Sequence, residues 1–219
     1  ELIANNTKLE DVNSALDRFA YSVSHDLRAP ISSLKGLVGL LKSEGEHEKL
    51  PDYLDMMTDS LNRQDEYIKN VLIHSRNRRM VNDFNLVELS VVIDEILKDL
   101  FHFEGRDQVE IIVDLPDNVV TDENRLKIVM SNLISNAIKY RDNNKVSKIE
   151  IYSKLQKDGT LITVQDNGIG IKAEHQSKVY NMFFVTNSSN KGTGLGMYIV
   201  KDAIQQMNAS ISLESTYGS

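Results

Sequence analysis

A histidine stands beside an aspartate in the stretch "YSVSHDLRAPISSLKG", residues 21–36, which reads as helix on both sides of its proline. An aspartate next to an imidazole can accept a hydrogen bond from one ring nitrogen, fix the tautomer and leave the other nitrogen as a nucleophile. His25 lies between Val23 and Leu27, which fall on the apolar side of the helix. We therefore expect His25 to point outward, although an ordinary solvated histidine would show the same pattern.

A weak point follows the histidine at Pro30. A proline inside a helix removes a backbone donor and costs about 3 kcal/mol. The carbonyl group that loses its partner here belongs to Asp26, directly after His25. The helix can therefore bend next to the histidine, and we interpret this bend as a site of motion.

A second group of polar residues lies on the apolar helix "NLISNAIKY". Asn132 and Asn136 are four residues apart and so share a face, with Lys139 one turn further on. An amide oxygen is a hard donor that suits Mg²⁺, and a lysine suits phosphate. Helix capping or surface polarity is the alternative explanation, but the apolar neighbours of these residues argue against it.

Two glycine-rich turns follow this helix. In "VQDNGIGI", Asp166 ends an apolar strand, and a carboxylate there can accept hydrogen bonds from an amino group such as that of adenine. In "NKGTGLG", three glycines open the last helix, where backbone amides form an anion site. Either turn alone is weak evidence, because such turns are common.

The elements that position these residues fall into two regions. Leu2, Leu9, Val12, Leu16, Phe19 and Val23 follow the spacing of a coiled coil, and apolar stripes continue through Ile31, Leu34, Val38 and Leu41 and through Leu54, Met57, Leu61, Ile68 and Leu72. The polar segment 42–52 between the stripes predicts a loop. Two such helices form a hairpin with little core of its own, so we expect it to pair with a second copy as a four-helix bundle.

From residue 84 onward the pattern mixes strands and helices. It predicts a strand and helix over 84–100, strands over 109–115 and 118–121, and a helix opened by Asp122. A hairpin turns at Asp158-Gly159, and a last helix leads into a strand over 209–215. This order predicts an α+β sandwich with one sheet covered by helices on one face. The polar segment 75–85 predicts a joint between the two regions.

The bulk composition excludes several classes of protein. The 219 residues carry a net charge of −7, which argues against a nucleic-acid surface, and the lack of cysteine excludes disulfides and thiolate metal sites. No apolar run approaches the roughly 20 residues that cross a bilayer, so we expect a cytoplasmic segment without membrane contact. Because the chain begins with Glu1, we expect it to be part of a longer protein that could include a membrane anchor.

Together, these segments resemble the two-component sensor histidine kinases. The asparagine helix, the Asp-Gly-x-Gly turn and the glycine loop follow the order of that family's nucleotide-binding domain, which gyrase-, chaperone- and mismatch-repair-type ATPases share. "SHDLRAP" is similar to the family's phosphoacceptor box. The resemblance implies a dimerisation and phosphoacceptor domain with a coiled-coil entry over residues 1–80. It also implies a Bergerat-type ATP-binding domain over 85–219, truncated at its C-terminal strand.

The resemblance also implies roles for single residues. His25 takes the γ-phosphoryl group of ATP and passes it to an aspartate of a response regulator, Asp26 orients the imidazole, and Arg28 places the phosphate. Asn136 coordinates Mg²⁺ with the support of Asn132. Contacts to the nucleotide come from Lys139 (phosphate), Tyr140 (adenine or ribose), Asp166 (adenine amino group), Gly168, Gly170, Phe183 and Lys191 at the ends of a lid, Gly192, Thr193, Gly194, Leu195 and Gly196.

One departure from the family pattern and two alternatives accompany this assignment. Hydrolytic relatives place a glutamate where this chain has Asn132, so the sequence favours a kinase over an ATPase clamp. Many kinases carry threonine or asparagine four residues after the histidine, and Ala29 there predicts weak phosphatase activity. A dimeric nucleotide-binding scaffold with vestigial chemistry is the second alternative.

Overall fold

The computed structural model describes residues 21, 23–25, 27–42, 49–116, 118–186 and 192–218. The chain divides into two compact units between Leu72 and Ile73. The predicted coiled coil before Tyr21, the roles of Asp26 and Lys191, and most of the lid lie outside the described residues. The domain boundary at 80–85 stays a prediction.

Two helices make up the first unit's described part. The first, α1, is helical at residues 21, 23–25 and 27–42, and the second, α2, is Leu50–Arg79. Residues 73–79 of α2 belong to the second unit. Residues 27–42 are helical throughout, including Pro30, whose carbonyl accepts a hydrogen bond from the Ser60 hydroxyl at 3.2 Å. The predicted loop is too long at its end, because Pro51 and Asp52 belong to the first turn of α2. Proline is tolerated there because residues in the first turn of a helix do not need an N–H group for a hydrogen bond within the helix.

The apolar stripes of the hairpin are only partly covered. Leu37 and Tyr67 are buried in the described part of the first unit. Five apolar residues at seven-residue spacing are 40–54% exposed in the single chain, namely Ile31, Val38, Leu54, Leu61 and Ile68. A stripe with this spacing is the seam of a helical bundle. The single chain therefore leaves that seam uncovered.

The end of α2 corrects a second expectation. Residues 75–79, predicted as part of a joint, form the last turns of α2, and Asn77 among them is fully buried. Arginines in this turn suit the negative end of the helix dipole. The polar run was misread because its buried partners are distant in sequence, as shown below.

The second unit mixes helices with short strands, as predicted. Asp122 caps α4 as expected, since its side chain accepts a hydrogen bond from the Arg125 N–H. The elements in chain order are β1 Phe84–Glu88, α3 Leu89–Asp99, a 3₁₀ turn Arg106–Gln108, β2 Val109–Asp114, β3 Asn118–Asp122, α4 Glu123–Lys139, β4 Ser147–Gln156, β5 Gly159–Asp166, α5 Ala173–Gln176 and α6 Gly196–Gln206.

Within the described residues the strands form two sheets, where one was predicted. β1 and β3 pair antiparallel over their full five-residue length. β2 runs parallel to β4, and β4 pairs antiparallel with β5 across the predicted Asp158-Gly159 turn. β1 is followed directly by α3, and β3 is followed directly by α4. The start of each helix therefore limits the length of the strand before it.

The predicted strand over 209–215 is not formed. Its first residue, Ala209, donates its N–H to the Ile204 carbonyl at the end of α6. At its other end, the Ser215 hydroxyl and carbonyl accept hydrogen bonds from the Ile171 N–H and the Gln176 amide, both at 2.8 Å. The segment is therefore hydrogen-bonded to the end of α6 and to the loop before α5. Its alternating apolar residues predicted a strand, but among the described residues the segment does not pair with a neighbouring strand.

Helix α4 lies between two apolar clusters. On one side Ile134 and Ile138, both fully buried, pack with residues of α3 and of β4 such as Ile149. On the other side, Val129 packs against Val200 and Ala203 of α6. Because α4 is buried on two sides, its rotation about its own axis is fixed. Only a narrow strip of its surface, between the two clusters, is left for polar residues.

Candidate functional site

The polar strip of α4 carries the predicted asparagines. Asn132, Asn136, Lys139 and Tyr140 are all half-buried, between the apolar residues that face the two clusters. The Asn132 amide nitrogen donates to the Ile128 carbonyl one turn earlier at 2.8 Å. The helix bond leaves the Asn132 oxygen directed away from its own backbone.

The Asn132 oxygen meets the glycine loop at the start of α6. A Cβ atom placed on Gly196 would lie 2.8 Å from Asn132 Oδ1, closer than such contacts normally come. A side chain at position 196 would therefore push against the Asn132 amide and displace it. The structure brings these two predicted site residues together although 64 positions separate them in the chain.

The lysine and tyrosine at the end of α4 meet the same loop at its first glycine. A Cβ atom on Gly192 would lie 2.9 Å from the Tyr140 hydroxyl oxygen and 3.7 Å from Lys139 Nζ. The backbone at Gly192 thus passes close to one ammonium and one phenol head group. Both head groups can contact an anionic ligand held by the loop.

The Asp166 turn is held in place by backbone groups. Asp166 Oδ1 accepts the Gly168 N–H at 2.8 Å, and the Ile169 N–H donates to the Tyr140 carbonyl at 3.1 Å. A Cβ atom on Gly168 would lie 2.5 Å from that carbonyl oxygen. The exposed Asp166 carboxylate therefore has a fixed position next to the end of α4.

Asn167, which the sequence reasoning missed, fastens this turn to β4. Its side-chain oxygen accepts the Lys148 N–H and its amide donates to the Val146 carbonyl, both at 2.8 Å. Its position between Asp166 and Gly168 could have suggested an Asx-type role in the turn. The structure thus gives Asn167 the task of holding Asp166 in register.

Gly170 packs against the segment that follows α6, and its contact with the nucleotide stays a prediction. It has a left-handed backbone with φ 68°, and a Cβ atom there would lie 2.1 Å from the Thr216 carbonyl oxygen. Its neighbour Ile169 accepts the Gly218 N–H. The glycine is needed because the segment 215–218 lies directly against this turn.

The root of the predicted lid is joined to the glycine loop. The Phe183 N–H donates to the Gly194 carbonyl at 2.9 Å, and both residues are left-handed, with φ 63° and 69°. Residues other than glycine rarely adopt this backbone conformation, so it is unusual at Phe183. The Thr193 hydroxyl accepts the N–H of the fully buried Leu195 at 3.3 Å. The turn that precedes α6 is therefore tightly determined.

The phosphoacceptor candidate lies in the first unit. His25 and Arg28 are exposed on α1, while Val23 and Leu27 on the neighbouring face are half-buried. This agrees with the expectation that the imidazole points outward. His25 and Arg28 belong to a different compact unit from the residues around Asn132.

A buried polar junction was not foreseen at all. Arg125 and Asp122, both essentially inaccessible, form an ion pair at the start of α4, and Arg125 also donates a hydrogen bond to Asn77 of α2. Burial would raise the pKa of Asp122, but hydrogen bonds from the Arg125 and Asp83 N–H groups and the Arg125 guanidinium hold that pKa below its usual value. An arginine among the apolar residues of α4 was the available signal.

The residues present fit a nucleotide with its metal ion. The glycine approaches at 192 and 196 bring backbone amides to Lys139 and Asn132, which suits phosphates. Across the described residues there is no group of three or more His, Cys, Asp or Glu side chains that could hold a metal. Amide and phosphate oxygens are ligands that Mg²⁺ accepts, and Asn132 and Asn136 supply amide oxygens here. Within the described ranges no helix is both long and apolar enough to cross a membrane.

Comparison with known families assigns both units. Residues 121–219 match the family of histidine kinase-, DNA gyrase B- and HSP90-like ATPases. These residues, which lie in the second unit, thus belong to an ATP-binding domain of that class. Residues 15–79 match the His Kinase A phospho-acceptor domain. The chain belongs to the two-component histidine kinases, of which it carries the catalytic core.

Individual relatives agree with this assignment. The chain is 32% identical to the phytochrome-like protein Cph1 of Synechocystis over 215 residues, 96% of this chain and 29% of Cph1. It is 28% identical to the sensor histidine kinase CpxA of Escherichia coli over 96% of this chain and 46% of CpxA. The chain thus spans less than half the length of these relatives. The Acinetobacter baumannii histidine kinase AdeS has the same fold, with a TM-score of 0.69 at 21% identity over 89% of this chain and 92% of AdeS.

Proposed function

We propose that this chain transfers the γ-phosphoryl group of ATP to His25 and then to an aspartate of a response regulator. The observation that carries the proposal is the convergence of Asn132, Lys139 and Tyr140 on the glycine loop, beside a fixed Asp166. The exposed His25 supplies a nucleophile outside that site. The steps below follow from these residues.

The phosphoryl acceptor chemistry rests on the exposed face of α1. A ring nitrogen of His25 attacks the γ-phosphorus, the bond from that phosphorus to the bridging oxygen breaks, and ADP leaves with the bonding electrons. Asp26, outside the described residues, would hold the opposite ring nitrogen. Arg28 lies about one turn from His25 and can pair with the phosphoryl oxygens. Exposure of both side chains is what such an encounter requires.

The nucleotide site would hold ATP through three kinds of contact. Asp166 accepts a hydrogen bond from the adenine amino group, and Tyr140 lies against the base or ribose. Lys139 and the amides of residues 192–196 contact the phosphates. These roles share a mechanism in which position and charge neutralisation supply most of the catalysis.

The α4 asparagines fit a role at the metal ion. Asn136 would hold Mg²⁺, and Asn132, one turn away, would support it near the phosphates. The bound cation neutralises charge on the phosphates. Because Asn132 is an amide that donates to the Ile128 carbonyl, it cannot serve as a base for water. This chemistry favours transfer to a histidine over hydrolysis.

Two partners complete the proposal. A second copy would cover the exposed seam of Ile31, Val38, Leu54, Leu61 and Ile68, and give a four-helix bundle. A response regulator would receive the phosphoryl group. Its support is a solved complex of the histidine kinase ThkA with the response regulator TrrA, which matches this chain with a TM-score of 0.70 at 24% identity, over 91% of this chain and 57% of that chain.

Incubation with γ-labelled ATP and Mg²⁺ tests the proposal. We expect label on the protein that is lost in acid and kept in base, because a phosphoramidate behaves in this way. His25→Gln should abolish it, while His102→Gln, which changes another exposed histidine, should keep it.

The two alternatives give different results in the same experiment. A vestigial scaffold would bind ATP and gain no label. An ATPase clamp would release phosphate steadily without labelling the protein. Either result, or label that survives His25→Gln, refutes the proposal.

A further inference from the structure

Asn77, in the last turns of α2, joins the two helices that form the nucleotide site. Its side-chain oxygen accepts the Arg125 Nε–H of α4 at 3.1 Å, and its amide donates to Asp202 Oδ2 of α6 at 2.8 Å. Asn77 is fully buried. One carboxamide on α2 is thus shared between α4 and α6.

Arg125 makes this contact rigid. Its Nη1 pairs with Asp122, and its Nη2 donates to the carbonyls of Asn77 at 3.1 Å and Met80 at 2.7 Å. Arg125 is 0% exposed, so each of these bonds is made away from water. Loss of any of these bonds would leave a buried polar or charged group unpaired, which is costly, so the last turn of α2 is held in one position against the start of α4.

The junction lies a short way from the nucleotide residues on both helices. Arg125 precedes Asn132 by about two turns of α4, and Asp202 follows Gly196 by fewer than two turns of α6. At the far end of these segments, Gly196 lies directly against Asn132. Because the two helices pack on each other through Val129 and Val200, between these two points, a change of their spacing at Asn77 also changes it at the nucleotide site.

We propose that Asn77 is a positioning residue for nucleotide binding, which couples the position of the end of α2 to the spacing of α4 and α6. The identity of the nucleotide rests on the proposed function. The reciprocal consequence follows from thermodynamic linkage: a nucleotide that fixes the spacing of α4 and α6 must also stabilise the last turn of α2.

A single variant and a double variant that exchanges Asn77 and Asp202 test the coupling. Asn77→Asp places a carboxylate against Asp202, which should push α6 away. We expect the dissociation constant for a non-hydrolysable ATP analogue with Mg²⁺, measured by calorimetry, to rise about tenfold. Adding Asp202→Asn exchanges donor and acceptor, keeps the net charge of the native chain and should restore affinity to within about threefold. Asn62→Asp, an exposed site on α2, should change nothing.

Hydrogen exchange on the native protein tests the reciprocal effect without any variant. Saturation with the analogue should slow amide exchange at residues 73–80. Unchanged exchange there overturns the proposal, as does unchanged affinity in Asn77→Asp, or a double variant that folds and still binds weakly. These measurements detect binding alone, so a chain that binds nucleotide but never forms phosphohistidine would refute the kinase and leave the coupling standing.

Discussion

The two units of this chain treat apolar residues in opposite ways. In the hairpin, apolar side chains recur every seven residues and are left exposed, for example Leu54 at 51% and Leu61 at 54%. In the ATP-binding unit, Ile134 and Ile138 of α4 are fully inaccessible and lie in a continuous cluster. The second unit completes its core within one chain. The first has an apolar seam that only another surface can cover.

The difference teaches that these units depend on different variables. A self-contained core gives a free energy of unfolding that is independent of protein concentration. A hairpin completed by a second copy has a stability that rises with concentration, because association is part of its folding. Both behaviours can be measured on the same chain.

The largest expected effect breaks the association of the hairpin. Leu54→Lys with Leu61→Lys places two charges in the proposed seam. Since burial of a leucine contributes about 1.5–3 kcal/mol, we expect dimer dissociation to become more than about 100-fold easier. Sedimentation over a range of concentrations measures it.

The matched control for this pair lies in the other unit. Leu86 of β1 is 70% exposed, and Leu86→Lys should leave the association unchanged. Equal weakening by Leu86→Lys, or a double variant that stays dimeric, would show that the two exposed leucine surfaces do not differ in role.

The next effect concerns the core of the ATP-binding unit. Ile134→Ala leaves a cavity beside α3 and β4, and we expect it to lower the free energy of unfolding of this unit by about 2–5 kcal/mol. The loss should be the same at low and high protein concentration in urea titrations. Val120→Ala, at a site 67% exposed, should stay within about 0.5 kcal/mol. A concentration-dependent loss for Ile134→Ala would contradict a self-contained core.

The smallest effect is a pH dependence of the ATP-binding unit. Burial lowers the pKa of His74, the nearby Asp202 charge opposes this in part, and Arg78 adds to the lowering. Between the lowered pKa and about 6.5, the unfolded chain binds a proton that the folded chain does not. The free energy of unfolding should therefore fall as pH decreases from about 6.5.

Urea titrations at several pH values check this slope. His74→Gln should remove the part that His74 contributes, whereas His102→Gln should keep it. Identical slopes in the native chain and in His74→Gln would exclude His74 as the source.

Local patterns predicted most of the fold. The Asp122 cap, the Asp158-Gly159 turn and the helix through Asn132 and Asn136 were readable because each depends on neighbours in sequence. The division into two sheets was not, because alternation shows that a segment can be a strand and not which strand it will pair with. The same limit explains residues 209–215, where a strand pattern found no ladder.

The roles of the candidate site residues stay predictions, and several contacts that hold these residues in place could not be read from the sequence. The glycines at 192 and 196 were readable from their spacing, while the reason for Gly170, its contact with Thr216, depends on a segment 46 positions away. The polarity of 75–79 predicted part of a joint, because the partner that buries Asn77 is Arg125, 48 positions away. Buried polar partners at such a distance leave no local pattern.

The way Asn167 is held bears on how this protein ages. An asparagine followed by glycine is prone to deamidation, in which the glycine nitrogen attacks the side-chain carbonyl carbon to form a succinimide. Here Asn167 is tied on both side-chain atoms to β4, and the Gly168 nitrogen is engaged with Asp166. In the folded turn, the Gly168 nitrogen is therefore not oriented to attack the side-chain carbonyl carbon of Asn167. Deamidation of Asn167 should accumulate in proportion to the time that the turn spends locally unfolded. The amount of deamidated protein would therefore report how often this turn opens.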